Sequence, residues 1–134
     1  MAEELRQQVP VIKDVLRAMH IEVIEKAGLE ADDLLGTLSH RCEEKGMDVS
    51  IISGDRDTLQ LATEHIKIRI PKTKQGKTEV EDYYAADVQE RYGVTPKEFI
   101  DVKALMGDTA DNIPWCSGSW RKDSDKDYSA VPDD

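Results

Sequence analysis

Val49-Ser50-Ile51-Ile52-Ser53-Gly54-Asp55-Arg56-Asp57 is the stretch on which the fold turns: a short apolar run, a glycine, then two acids flanking an arginine. A run of this length and make-up fits a buried strand of a parallel sheet. Gly54 turns the chain into a short helix over 58–62, which leaves Asp55 and Asp57 just past the carboxyl end of the strand. In open α/β sheets, ligands bind beyond that end.

Reading toward the N-terminus, residues 31–45 have the pattern of a helix closed by Gly46. The β-branched run Ile21-Glu22-Val23-Ile24-Glu25 before it reads as another strand. Leu5, Val9, Ile12, Val15, Leu16 and Met19 recur at helical spacing, with Pro10 expected to kink that helix or mark its start. Toward the C-terminus, Ile66 to Ile70 alternates with Lys67 and Arg69 as a half-exposed strand does. A turn at Gln75-Gly76 and a strand over 78–80 complete a hairpin. A helix over 84–92 stops at Gly93. Thr95-Pro96-Lys97-Glu98 then has the form of a capping box with proline at the first helical position, opening a helix that ends near Met106. The order strand, helix, strand, helix, strand defines an α/β fold with a parallel core.

Hydrophobic residues at 39 % and charged residues at 34 % suit one soluble globular domain. No apolar run approaches the ~20 residues of a membrane span and no signal-peptide pattern is visible, so a cytoplasmic location is expected. Cys42 and Cys116 are too isolated for a disulfide framework or zinc site, and His20, His40 and His65 are scattered. A net charge of −10 argues against a simple nucleic-acid binder. That argument weakens if acids concentrate where divalent cations sit, because a bound cation reverses the local field.

The acids do concentrate. Glu30, Asp32 and Asp33 open a helix, Asp55 and Asp57 follow a strand, and Asp108 and Asp111 follow the last helix. Each cluster alone has a bland reading as a helix cap or an Asx-rich turn. Together they offer the oxygen donors that hard divalent cations prefer. Two such ions ~3.5–4 Å apart can clamp a phosphodiester. The three clusters are therefore expected to converge on one face.

These residues also resemble a known family. Gly28-Leu29-Glu30-Ala31-Asp32-Asp33-Leu34-Leu35-Gly36-Thr37-Leu38 and Ser53-Gly54-Asp55-Arg56-Asp57-Thr58-Leu59-Gln60-Leu61 resemble two acidic motifs of the 5′-3′ exonuclease domain of bacterial DNA polymerase I. Tyr92-Gly93-Val94-Thr95-Pro96 with Leu105-Met106-Gly107-Asp108-Thr109-Ala110-Asp111-Asn112-Ile113-Pro114 resembles a third, in the same order. The resemblance covers residues 1–114. It implies a PIN-like, three-layer α/β fold with a mainly parallel sheet, two Mg²⁺ or Mn²⁺ ions, and a nuclease acting on DNA with a 5′ end or flap. By the same resemblance, Glu30, Asp32 and Asp33 are ligands of the catalytic metal, and Asp55, Asp57, Asp108 and Asp111 form the second-metal group. The attacking species would be water.

In that family, a strand with an aspartate, a second aspartate motif and a basic helical arch precede the matched segment. The fold is accordingly expected to be incomplete and cleavage impaired. The family also continues past Pro114 with Gly-Val-Pro-Gly-Val-Gly-Glu-Lys-Thr-Ala, a helix–hairpin–helix, where this chain has Trp115-Cys116-Ser117-Gly118-Ser119-Trp120-Arg121-Lys122-Asp123-Ser124. Read one nucleotide later, TGG-TGT-TCC for Trp-Cys-Ser becomes GGT-GTT-CC, which encodes Gly-Val-Pro. Residues 115–134 are thus expected to be a frameshifted or disordered tail.

Lys67, Arg69, Lys72, Lys74 and Lys77 on the hairpin are candidates for tracking a DNA backbone, although lysines there also serve to blunt a sheet edge. Two other functions compete. Gly107-Asp108-Thr109-Ala110-Asp111 resembles the Mg²⁺ loop of haloacid-dehalogenase-type phosphatases, but that family's strand-end nucleophile motif is wanting. The other is a metal- or DNA-binding fragment without catalysis.

Overall fold

Helical spacing at the N-terminus is realised as α1, Glu3–Ala18, which runs through Pro10 instead of starting at it. Pro10 gives the Arg6 carbonyl no amide partner, but this stretch is exposed and water can take that role. The computed structural model describes residues 3–74, 76–107 and 112–114. It falls into two units, Met1–Leu34 and Leu35–Asp134. In the first, α1 buries no residue. The strand expected over Ile21–Glu25 does not form; the segment has no regular structure and is tied to α1 by the Lys13–Glu25 ion pair. β-branched side chains favour an extended backbone, but a strand also needs a neighbour to take its hydrogen bonds.

Helix α2, Ala31–Glu43, begins in the first unit and continues into the second. There β1 (Val49–Ile52), β2 (Ile66–Lys74) and β3 (Lys77–Tyr83) form a sheet in the order β1-β2-β3. β1 pairs with β2 in parallel, Ile51 opposite Ile68. β2 and β3 form the expected hairpin, Arg69 opposite Asp82 and Ile70 opposite Glu81. Among the described residues the sheet is therefore mixed, not mainly parallel. A 3₁₀ helix over Arg56–Leu61 precedes β2, and α3 (Ala85–Tyr92) and α4 (Phe99–Met106) follow β3. Leu59, Ile66, Ile68, Val88, Tyr92 and Phe99 make up the centre of the core. No described helix is long and apolar enough to cross a membrane.

β1 was expected to be buried on both faces, and it is not. It lies at the edge of the sheet with one face covered, so Ile51 is 3 % exposed and Ile52 70 %. The α/β class survives this correction, because the crossover from β1 to β2 keeps them parallel.

Local signals were more reliable. Gly93 ends α3 at φ +73°, its amide bonded to the Gln89 carbonyl, a left-handed cap that only glycine adopts without cost. The Thr95 amide donates to Glu98 Oε2 at 2.8 Å and the Glu98 amide to Thr95 Oγ1 at 3.3 Å, the two halves of the predicted capping box. These bonds hold the Glu98 carboxyl below its usual range, the backbone bond contributing most and the Thr95 hydroxyl next. Asp82 is lowered likewise, first by the Arg69 hydrogen bond. A carboxyl whose folded pKa is depressed contributes stability above its unfolded value, and that contribution is lost as pH falls through the folded value. The thermal midpoint is therefore expected to fall as pH drops from ~5 to ~3. Glu98→Gln should flatten that slope; an unchanged slope in the variant would show that the box is not electrostatically coupled to folding.

Candidate metal centre

The turn after β1 is held by its own polar groups. The Asp55 amide donates to Ser53 Oγ at 3.0 Å, and the Asp57 amide to Asp55 Oδ1 at 2.9 Å. The buried Thr58 hydroxyl donates to the Asp55 carbonyl at 2.6 Å. Asp55, and not the last acid of the turn, thus caps the 3₁₀ helix. A carboxylate has about four acceptor sites, so capping leaves capacity for a cation.

Asp57 has a different environment. Its Oδ1 is shielded from solvent and accepts no well-aimed hydrogen bond, while Lys103 Nζ of α4 lies 2.8 Å away as a counter-charge. A shielded carboxylate oxygen facing a cation is the kind of position that a metal ion also suits.

In the first cluster, the Glu30 amide donates to Asp33 Oδ2 at 2.9 Å, so Asp33 satisfies one of the open donors at the start of α2. Glu30, Asp32 and Asp33 are all exposed. Asp108 and Asp111 lie outside the described residues, as does the tail 115–134. Gly107, which leads into that third cluster, has φ +66° and ψ −179°, a backbone region essentially reserved for glycine. Among the described residues, no three Asp, Glu, His or Cys side chains are gathered as a metal-holding group. Within one unit each, Glu30, Asp32 and Asp33 lie together at the start of α2, and Asp55 and Asp57 lie together after β1.

Arg56, between them, points into the fold. Its Nη1 donates to the Tyr92 hydroxyl, and its Nη2 is 3.8 Å from Glu81 Oε2. Glu81 also receives Lys72 Nζ at 2.7 Å and the Tyr83 hydroxyl at 2.7 Å. Burial, and then that bond to a carboxylate, push the Tyr83 hydroxyl up to about 12. Glu81 itself is lowered: burial opposes ionisation, but the Lys72 and Tyr83 hydrogen bonds and the nearby cations outweigh it. Neither Glu81 nor Lys103 belongs to a motif visible in the sequence. Hairpin register was the available signal for Glu81, since counting from Gly76 sets it opposite Ile70 on the apolar face.

On the other face of the hairpin, Asp82 takes both Arg69 at 2.8 Å and Lys67 at 3.5 Å. Three of the five basic candidates, Lys67, Arg69 and Lys72, therefore hold acids of β3. Lys77 is exposed. The side chain of Lys74 lies outside the described ones.

The fold is that of the PIN-like α/β nucleases. It superposes with a TM-score of 0.69 on the T5 D15 protein, solved after co-crystallisation with metal ions, at 27 % identity over 88 % of this chain and 45 % of that one. Residues 1–93 match the family described as 5′-3′ exonuclease, N-terminal resolvase-like domain, and the chain belongs to that family. Among similar proteins, DNA polymerase I of Bacillus caldotenax is 46 % identical over 119 residues, 89 % of this chain and 13 % of the polymerase. DNA polymerase I of Caldicellulosiruptor bescii is 42 % identical over 135 residues, 98 % of this chain and 16 % of that protein. The chain thus spans about a seventh of the length of these relatives.

Proposed function

We propose that this chain is the acidic core of a divalent-metal-dependent 5′ nuclease that hydrolyses DNA at 5′ ends and flaps, working in the cytoplasm. The observation that carries the reading is the Gly54–Asp57 turn. It sets Asp55 and Asp57 past the end of β1, with a shielded Asp57 oxygen beside an ammonium. The donor set fits Mg²⁺ or Mn²⁺, since carboxylate oxygens are the ligands such hard cations select. Asp55 and Asp57, with Asp108 and Asp111, would hold one ion, and Glu30, Asp32 and Asp33 the other. When bound, the ions supply charge neutralisation at the phosphodiester and a more acidic water. The chain's own part is to fix the carboxylates: Asp55 by capping the 3₁₀ helix, Asp57 by its partner on α4, Asp33 at the start of α2.

The test is cleavage of a labelled 5′-flap duplex by the full chain with Mg²⁺ or Mn²⁺. Cleavage is expected to stop when metal is chelated and to drop at least ~100-fold in Asp32→Ala, because even groups that only support a metal ligand are worth ~10–100-fold. Metal-independent cleavage, or full activity in Asp32→Ala, would overturn the assignment. Release of phosphate from a small phosphomonoester without flap cleavage would favour the phosphatase reading. Mn²⁺ or duplex binding with no cleavage would favour the non-catalytic one.

A further inference from the structure

Glu81 is an acid placed against the apolar side of the sheet. Its register partner Ile70 is 3 % exposed, so its carboxylate needs counter-charge to be tolerated there. It has three cations: Lys72 at 2.7 Å, Arg56 at 3.8 Å and Arg91 at 3.9 Å. One of these, Arg56, is the middle residue of the acidic turn. The same guanidinium donates to the hydroxyl of Tyr92, which is 2 % exposed and stacks edge-on against Phe99 with ring centres 5.0 Å apart. Arg56 is therefore a strut with two footings, Glu81 on β3 and Tyr92 on α3.

The bonds among Ser53, Asp55 and Asp57 set the shape of the turn, and the Lys103 contact ties Asp57 to α4, but neither joins the turn to β3 or α3. The strut supplies that connection: one arm of the planar guanidinium donates to the Tyr92 hydroxyl while the other faces the Glu81 carboxylate at ion-pair range. We propose that Glu81 is a positioning residue: by holding Arg56 it fixes the Gly54–Asp57 turn, so that Asp55 and Asp57 are offered to a divalent cation in one arrangement. The inference rests on the metal-holding reading of those two aspartates, but the positioning itself is readable without metal. Glu81 touches neither ion nor substrate in this scheme. The depressed carboxyl of Glu81 is consistent with it, since the group is ionised whenever the turn must be held.

The experiment uses the full chain labelled with ¹⁵N, without metal, as the parent and as Glu81→Gln, Arg56→Gln, Arg56→Lys and the Glu81→Gln/Arg56→Gln double variant. Backbone order parameters at Gly54, Asp55 and Asp57 are expected to fall from ~0.85 toward ~0.6 in each single variant, while Ile66 to Ile70 stay rigid. Arg56→Lys should behave like Arg56→Gln, because an ammonium cannot fork. The double variant should be no looser than either single one, the mark of two residues acting as one unit. Mn²⁺ affinity, read from the electron spin resonance of free Mn²⁺, should fall about 3- to 10-fold in the singles and no further in the double.

An ordered turn in either glutamine variant, or additive loosening in the double, overturns the positioning role. If Glu81→Gln also loosens β2, Arg56→Gln decides, because it leaves the Lys72 and Tyr83 bonds to Glu81 in place. A turn that loosens with Mn²⁺ affinity unchanged upholds the positioning and overturns instead the assignment of Asp55 and Asp57 to a metal.

Discussion

Replacing Ile68 by alanine is expected to lower stability by about 3 kcal/mol, read as a shift of the urea midpoint at unchanged slope. Ile68 is wholly buried on the middle strand, with Ile51 of β1 opposite on one side and Tyr83 of β3 on the other. Backbone pairing on both sides keeps the surroundings from collapsing into the space left by the lost methyls, which sets the cost toward the upper part of the range for such truncations. Domains of this size have ~5–15 kcal/mol in total, so the loss should be plain in any unfolding curve. The contrast is Ile52→Ala, at 70 % exposure, which should change stability by no more than ~0.5 kcal/mol. Similar losses for both variants would show that β1 is not the half-open edge strand described above.

The second large effect concerns Lys103. Replacing it by methionine removes the counter-charge of a shielded Asp57 oxygen. Breaking such a pair from one side costs more than the pair itself is worth, because the remaining charge is left unsatisfied. Asp57 and Lys103 keep side-chain exposures of 35 % and 27 %, so water softens the penalty to about 1–2 kcal/mol. If Asp57 holds a cation, added Mn²⁺ should restore that loss, since a ligand that binds the folded state at a hundred times its Kd adds ~2.7 kcal/mol. Thermal midpoints of the parent, Lys103→Met and Asp57→Asn with and without Mn²⁺ make the comparison. Mn²⁺ should stabilise Lys103→Met most and Asp57→Asn least. Equal stabilisation of all three would remove Asp57 from the metal site.

What the sequence made legible was local. The Thr95–Glu98 box, the glycine stop at Gly93 and the hairpin around Gly76 each depend on residues within a few positions of one another, and each formed. The misreadings at Ile21–Glu25 and β1 share one cause. β-branched composition tells that a segment tolerates an extended backbone, whereas the presence of a neighbour on each side is decided by the rest of the fold. The acidic turn was legible as a cluster, but which of its aspartates caps the 3₁₀ helix was not: it is Asp55 and not the later Asp57. The Arg56–Glu81 and Lys103–Asp57 contacts were not legible, because their partners are 25 and 46 positions apart in the chain and meet only through the hairpin register and the packing of α4.

The ion pairs on the hairpin also set how its contacts with a duplex would respond to salt. A cation already neutralised by Asp82 or Glu81 displaces few condensed ions when it approaches a duplex. Five lysines and arginines engaging phosphates would contribute about −4.5 to the slope of log affinity against log salt, at ~0.9 per phosphate contact. With Lys67, Arg69 and Lys72 committed to acids, the hairpin's share should be no steeper than about −2. If the chain binds DNA as proposed, the hairpin's share of that binding should therefore weaken only gently as salt rises.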